Sequence, residues 1–232
     1  MMKAIRVILG FGLALVFLLS SDSLSAIAMD TKFITEEMSQ EDINSFLNRN
    51  QFTLLTEEPP RNGIRFFDVS EKHMVATACL YSGKGYICIY QNGNFLYGYR
   101  FNANKPFMVE WAGANLNVLF TYTLVTLSPE GEIIDLATVS RLSQNNKYQR
   151  TLQRNKRVVG DMTYTLHKTF LASSYSKLVV TDENGSETVW YDVSGDSQAR
   201  VLFCLVAGVL FFAIIFFIVF RGLFAYKNKT NR

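Results

Sequence analysis

The sequence predicts a mainly β protein built from antiparallel strands, with a helical segment at each end of the chain. Short runs rich in β-branched and aromatic residues alternate with Gly, Asn and Pro turns over residues 64–193. Residues 201–220 contain no charge and no proline, and their length is sufficient to cross a bilayer core of about 30 Å. A basic and then apolar segment opens the chain. Together these observations predict an exported β domain with a membrane anchor.

The N-terminal segment has the features of a secretory signal peptide. Two cations precede an apolar run over residues 7–19, and Ala26 and Ala28 form an A-x-A arrangement. We therefore expect a signal peptide over residues 1–28. An uncleaved N-terminal helix is the alternative, and both interpretations export the residues that follow.

The apolar run over residues 201–220 precedes a basic tail, residues 221–232, which has four cations and no acid. Excess Lys and Arg beside a span mark the cytoplasmic side of a membrane. We expect a transmembrane helix over residues 200–220, a cytoplasmic tail and a single-pass cell-membrane protein. The buried helix of a soluble domain is the alternative, and the basic tail counts against it.

The overall charge has a local origin. The chain has a formal net charge of +3, but residues 29–199 contain 16 basic and 19 acidic residues. A mildly acidic domain lacks the positive field that holds a polyphosphate backbone, so nucleic acid is not an expected partner. The expected partners are the lipid bilayer and another envelope protein or a second copy of the chain.

Residues 29–63 are predicted to form a helix and a linker. Ser39, followed by acids, has the chemistry of a helix N-cap. An apolar stripe at helical spacing then predicts a helix over residues 40–48. The EEPPRNG segment that follows combines two prolines with an Asn-Gly turn, which predicts a linker.

Twelve strands are predicted in three groups of four, and no helix is expected among them. Each group closes on a turn with glycine, at Gly93, Gly131 and Gly185. The predicted strands are residues 64–69, 73–80, 86–91 and 94–101 in the first group, 107–111, 116–120, 124–128 and 132–139 in the second, and 157–159, 162–168, 177–181 and 187–193 in the third.

The runs ICIYQNGNFLYGYRF and VEWAGANLNVLFTYTLVTLSPEGEIID resemble the blades of β-propeller proteins. The resemblance covers residues 64–193 and implies three four-stranded antiparallel blade-like units, in a propeller-like or open array, within a β domain over residues 64–195. The chain lacks the Trp-Asp signature of the best-known propeller repeats. Three units are also fewer than the four that close a ring, and a β-sandwich is the alternative fold.

No motif indicates catalysis or a cofactor. The chain has no H-E-x-x-H, G-x-S-x-G, P-loop or G-x-G-x-x-G sequence. His73 and His167 stand alone in predicted strands. Acids near strand ends, such as Asp68 and Glu187, are typical acceptors for turn N–H groups. We therefore predict no catalytic residue, no metal ligand and no cofactor.

An aromatic stripe lies in the fourth predicted strand. Phe95, Tyr97, Tyr99 and Phe101 alternate strictly, so a regular strand would place all four rings on one face. The stripe is either a platform for stacking sugars or a packing face. Packing is favoured because four exposed rings would leave a large apolar patch in water.

A cationic stretch over residues 141–160 contains six cations and no acid. These residues are Arg141, Lys147, Arg150, Arg154, Lys156 and Arg157. They are a candidate contact for an anionic envelope polymer or for lipid headgroups. A solvated insertion between two strand groups is favoured, because apolar residues there form no continuous stripe.

Cys79 and Cys88 are candidates for a disulfide. If Gly83 and Lys84 form a two-residue hairpin loop, the two cysteines lie directly opposite each other, with a Cα separation of about 4.5 Å. An oxidising location would permit the bond. Two reduced thiols, buried as small hydrophobic groups, are the alternative.

The expected function is binding or sensing at the outer surface of a membrane, or service as an accessory to another envelope protein. An anchored enzyme that acts on glycan or cell-wall polymer is one alternative. The lack of a recognisable nucleophile, base and orienting group counts against the enzyme. A small subunit of a membrane complex is the other alternative. The apolar run has no polar side chain beyond Cys204, and this favours a simple tether over such a subunit.

Overall fold

The structure of the chain, a computed structural model, describes residues 30–170 and 172–230. The predicted signal peptide, residues 1–28, lies outside the described residues. The described chain is mainly β, its sheets are antiparallel and no sheet closes on itself. The predicted fold class is confirmed at this level.

Helix α1 spans Gln40–Arg49 and agrees with the predicted helix to within one residue. The hydroxyl of Ser39 accepts a hydrogen bond of 3.1 Å from the Asp42 N–H, which satisfies a donor that a helix start leaves free. The ring centroid of Phe46 lies 5.6 Å from that of Phe120. This contact holds α1 against the second group of strands.

Fourteen strands occur in the described part of the chain. They are β1 (Thr35–Glu37), β2 (Thr53–Leu55), β3 (Ile64–Val69), β4 (Val75–Tyr81), β5 (Lys84–Gln91), β6 (Asn94–Asn102), β7 (Met108–Ala112), β8 (Asn115–Phe120), β9 (Thr123–Leu127), β10 (Ile133–Val139), β11 (Lys156–Val159), β12 (Met162–Lys168), β13 (Tyr175–Thr181) and β14 (Glu187–Asp192). All twelve predicted strands are present as β3 to β14, within two residues at each end. The two unpredicted strands have three residues each, too few to show a period in the sequence.

Three consecutive four-stranded groups, here called meanders, make up most of the fold. Meander 1 comprises β3 to β6, meander 2 β7 to β10 and meander 3 β11 to β14. β2 pairs with β6 and β1 pairs with β10, so each extends one meander at its edge. A pairing of Tyr175 with Ile64 connects β13 to β3 and joins meanders 1 and 3 in a nine-stranded sheet.

Meander 1 lies between the other two meanders and is buried on both faces. On one face, Ile87 packs in a cluster with Val125 of meander 2, here called core 1. On the other face, Tyr90 packs in a cluster with Leu178 of meander 3, here called core 2. Successive residues of β4 and β5 enter opposite cores, so the domain has three packed layers.

A β-bulge divides the aromatic stripe of β6 between the two cores. The register of β5 with β6 shifts at Leu96, which is left as an extra residue. Phe95 therefore packs into core 2, whereas Tyr97, Tyr99 and Phe101 pack into core 1. The prediction of a packing role is confirmed, but the prediction of a single shared face is wrong for Phe95.

The hairpin between β4 and β5 turns one residue earlier than predicted. Ser82 and Gly83 have φ of 50° and 74°, as a type I′ turn requires at its two central positions. This turn shifts the register by two residues, so Cys79 lies opposite Tyr86 and not opposite Cys88 as predicted. The two cysteines are diagonal neighbours, for which the Cα separation is about 7–8 Å, beyond ordinary disulfide geometry. Both are free thiols.

Helix α2 spans Ser143–Leu152, within the stretch that the sequence predicts to be a solvated insertion without a helix. Apolar periodicity does not reveal this helix because it docks partly through an amide. Asn145 is 4% exposed; it accepts a hydrogen bond from the Ile34 N–H and donates to the carbonyls of Ile34 and Ser140. Leu152 supplies a buried apolar contact at the other end.

Helix α3 spans Ser194–Thr230 and contains the apolar run predicted to cross a membrane. It begins two residues after the end of β14. Its large apolar side chains are exposed between Leu202 and Ile218. Within the part of the chain that the structure describes, no helix is both long and apolar enough to cross a membrane. The transmembrane helix stays a prediction.

Candidate functional site

The cationic stretch supplies exposed cations on α2 and on the segments that precede and follow it. Five of the six predicted cations are exposed: Arg141, Lys147, Arg150, Arg154 and Lys156. They are called here the cationic surface. Two of them are three residues apart on α2, which places them about one turn apart on the helix. The side chain of Arg141 lies over the Tyr122 ring, with its guanidinium carbon 4.4 Å from the ring centroid.

Arg157, the sixth cation, is a structural residue. Its Nε lies 3.0 Å from Asp68 Oδ1, and the two side chains are only 15% and 14% exposed. The same guanidinium donates hydrogen bonds to the carbonyls of Phe67 in β3 and of Leu152 at the end of α2. Arg157 therefore connects β11 to meander 1 and to α2, and any surface contact depends on the other five cations.

A buried carboxylate lies beneath α2. Glu110, in β7, is 6% exposed. Its Oε1 accepts a hydrogen bond from the Tyr148 hydroxyl of α2. Its Oε2 accepts from the Thr31 hydroxyl at 2.8 Å and from the Asn117 amide at 3.3 Å. No motif marks Glu110 in the sequence, although an acid inside an otherwise apolar strand is a signal for a buried polar contact.

The electrostatics of this cluster hold α2 in place. Burial raises the pKa of the Tyr148 hydroxyl above its usual range, and the hydrogen bond to Glu110 raises it further. The hydroxyl therefore stays protonated and remains a donor. The second carboxylate of the cluster, Asp68, accepts from the Trp111 N–H at 2.9 Å as well as from Arg157. Because these contacts fix the inner side of α2, the cationic surface has a rigid base.

A second polar cluster covers the two cysteines. In the linker, Glu58 accepts hydrogen bonds from Arg61 at 2.6 Å and from the Tyr90 hydroxyl at 2.8 Å. Burial raises the pKa of the Cys79 thiol to about 12, and it raises the pKa of Cys88 as well. Protonated, buried thiols are poor nucleophiles and poor metal ligands. This cluster is therefore suited to packing.

The two histidines have different surroundings. His73 lies in the turn before β4, with φ of 59°, rather than in the predicted strand, and its Nδ1 lies 2.9 Å from the Tyr164 hydroxyl. His167 is exposed on β12. Across the described residues, no group of three or more His, Cys, Asp and Glu is arranged to hold a metal ion.

The candidate site is thus a surface on a rigid support rather than a cleft with converging reactive groups. Its chemistry is that of multivalent attraction to anions. The chain matches no protein-family model, no curated protein and no solved structure.

Proposed function

We propose that the chain is a membrane-anchored binding or sensing module, with its β domain outside the membrane and α3 as its anchor. The observation that carries the proposal is the surface of α3, on which thirteen large apolar side chains between Leu202 and Ile218 are 41% to 74% exposed. A helix that is apolar on all sides needs an apolar environment. A bilayer supplies that environment over the length of about 20 helical residues.

The proposed orientation rests on charge. The basic residues that follow the apolar run favour a cytoplasmic C-terminal end. The N-terminal segment, with its cations and A-x-A arrangement, favours export of the residues after it. The β domain would then face the outside of the cell membrane.

We also propose that the meanders are blade-like units in an open array. Each meander has four antiparallel strands, and meander 1 is packed face to face with the other two. Gly93, Gly131 and Gly185 occupy the turn between the third and fourth strand of successive meanders, each with positive φ. A glycine with positive φ in the turn at the same place supports a common origin for the three units, and three units leave the array open.

The ligand proposed for the cationic surface is an anionic polymer or headgroup of the cell envelope. The surface carries five exposed cations in a stretch with no acid. Its helix is held by the buried contacts of Glu110, Asn145 and Arg157. A rigid cationic surface binds anions at a lower entropic cost than a mobile one. Another envelope protein with an acidic surface would use the same chemistry.

Membrane extraction tests the anchor. The full-length chain should stay in the membrane fraction through alkaline carbonate washing, and a variant without residues 201–220 should be released. Cys204, exposed on α3 in the isolated chain, should react with a membrane-impermeant maleimide in denaturant but not in intact membranes. Release of the full-length chain by carbonate would overturn the anchor.

A protease experiment tests the orientation. Protease added to intact cells should degrade the β domain while the segment protected by the bilayer survives. Degradation only after lysis would place the β domain inside and contradict the proposal.

Charge reversal tests the cationic surface. The Lys147→Glu/Arg150→Glu variant should lose most of the binding of the full-length protein to poly(glycerol phosphate), and binding by the unmodified protein should weaken as salt increases. Lys72→Glu/Lys105→Glu changes the net charge by the same amount at exposed positions outside the cationic stretch and is the matched control. Equal binding by both variants would remove α2 as the contact.

A further inference from the structure

A cleft of about 520 Å³ lies where the β12–β13 hairpin meets the first turns of α3. Its walls differ in character. The polar wall contains His167, Lys168 and Lys177, and the apolar wall contains Phe170, Leu202 and Leu205. None of the five residues of the cationic surface lines this cleft.

The polar wall is cationic. His167 and Lys177 are directly opposite each other in the register of β12 and β13, and Lys168 follows at a bulge in that pairing. The ammonium of Lys168 lies 4.8 Å from the Tyr175 ring centroid. The two lysines give this wall a positive charge, so the wall favours a negatively charged ligand.

One carboxylate, Asp192, also lies near this wall and does not cancel its charge. Its Oδ2 is 3.9 Å from the Lys177 ammonium, with both side chains more than a third exposed, and such ion pairs contribute little. Its Oδ1 accepts hydrogen bonds from the Ser194 N–H at 2.8 Å and the Ser194 hydroxyl at 2.5 Å. Asp192 is therefore engaged at the start of α3, and Lys168 has no such carboxylate partner among the described ion pairs.

The apolar wall is the start of the exposed apolar surface of α3. Leu202 is 63% exposed and Leu205 is 50% exposed. Phe170, which also lines the cleft, is 79% exposed, which is a costly position for a phenyl ring in water. A ligand with an anionic head and apolar chains would satisfy both walls, whereas a free inorganic anion would leave the apolar wall in water.

We propose that this cleft binds the phosphate-bearing headgroup of an anionic phospholipid from the outer leaflet of the bilayer that holds α3. The lysines contact the phosphate, and Phe170 inserts at the level of the glycerol and upper acyl chains. This inference rests on the proposed function, because it requires α3 to enter a membrane. Cations and aromatic side chains at the boundary of a span are the groups that contact headgroups in membrane proteins.

Native mass spectrometry of the full-length protein in detergent tests the cleft. Dioleoyl phosphatidylglycerol should bind at lower concentration than dioleoyl phosphatidylcholine. The Lys168→Ala/Lys177→Ala variant should lose this preference, with an affinity for phosphatidylglycerol that is about tenfold lower. Lys72→Ala/Lys105→Ala removes two exposed lysines that do not line the cleft; it is the matched control and should bind as the unmodified protein does.

Three outcomes would overturn the proposal: equal binding of the two lipids, unchanged phosphatidylglycerol binding by the double variant, or full displacement of the lipid by millimolar inorganic phosphate. The last would identify a site for free phosphate. Carbonate extraction of the double variant separates this inference from the proposed function. If the double variant stays in the membrane but loses its preference for phosphatidylglycerol, the result supports lipid binding at the cleft. If carbonate releases both the double variant and the unmodified chain, the result refutes the membrane anchor itself.

Discussion

At the scale of single residues, Arg157 shows how a cation in a basic stretch becomes part of the interior. Its guanidinium contacts Asp68 and two backbone carbonyls from different elements. A guanidinium suits this position because its donors lie in a fixed plane and point in several directions. The neighbouring cations have no comparable set of buried acceptors, so they stay at the surface.

We expect Arg157→Ala to lower the free energy of unfolding by about 3 kcal/mol, because the largely buried Asp68 side chain would lose its cationic partner. Urea unfolding of the full-length protein in detergent, followed by tryptophan fluorescence, measures this. Arg154→Ala removes an exposed cation three residues away and should change stability by less than about 0.5 kcal/mol. Equal effects of the two substitutions would show that the Asp68 contact does not stabilise the fold.

The buried thiols predict a pH dependence in the alkaline range. Folding raises the pKa of Cys79 from 9.0 to about 12, so the folded state keeps a proton that the unfolded state releases above pH 9. The free energy of unfolding should therefore fall as the pH rises, by about 1 kcal/mol at pH 10 from this group alone. The raised pKa values of Tyr90 and Tyr191 act in the same direction. Guanidinium unfolding at pH 7, 9 and 10 measures the fall, and constant stability would contradict it.

At the scale of elements, local sequence predicts the strands of the three meanders, but it predicts only some of the helices. Alternation and turn residues are properties of five to ten neighbouring residues, so β3 to β14 were predictable. The register of the β4–β5 hairpin depended on which residue adopts positive φ, and Ser82 gave no clear signal for that conformation. The bulge at Leu96 directs the rings of β6 into two cores, and strict alternation in the sequence gives no sign of it.

Helix α2 was not predictable from periodicity because its inner side is largely polar. The composition of the stretch reveals its six cations, but their arrangement depends on α2 and was therefore not predicted. Buried Glu110 and Asn145 were missed for a different reason. Their hydrogen-bond partners include residues that are distant in sequence, with a separation of 111 residues for Asn145 and Ile34. Pairings of this kind appear only in three dimensions.

We expect Asn145→Ala to loosen α2 selectively. The substitution leaves the Ile34 N–H without its acceptor and removes one of the two donors to each of the Ile34 and Ser140 carbonyls, at a cost of about 1–3 kcal/mol. Backbone hydrogen exchange should become faster across Ser143–Leu152, while the strands of core 1 keep their protection. Asn146→Ala, at an exposed position on the same helix, is the matched control. Unchanged exchange in the Asn145 variant would show that the amide does not hold the helix.

At the scale of the whole molecule, the two cores are coupled because both contain side chains of meander 1. Strands β4 and β5 contribute alternate residues to each core. Loosening of either core therefore exposes one face of the same four strands. The domain should behave as one cooperative unit.

Cavities on opposite sides of meander 1 test this coupling. Leu116→Ala in core 1 and Leu178→Ala in core 2 remove side chains that are 2% and 0% exposed, and each should cost about 2–5 kcal/mol. Both variants should show a single unfolding transition, shifted to lower denaturant. Two transitions, of which only one moves, would mean that the outer meanders unfold separately.

The order of synthesis gives the central position of meander 1 a further consequence. A growing chain releases meander 1 first and meander 2 next, so core 1 can close while the other face of β4 and β5 still lacks its cover. That face is covered in part by Trp190 and Tyr191, which are synthesised immediately before α3. The nascent domain therefore keeps an open apolar face until Trp190 and Tyr191 have been made, which exposes it to aggregation if elongation stalls.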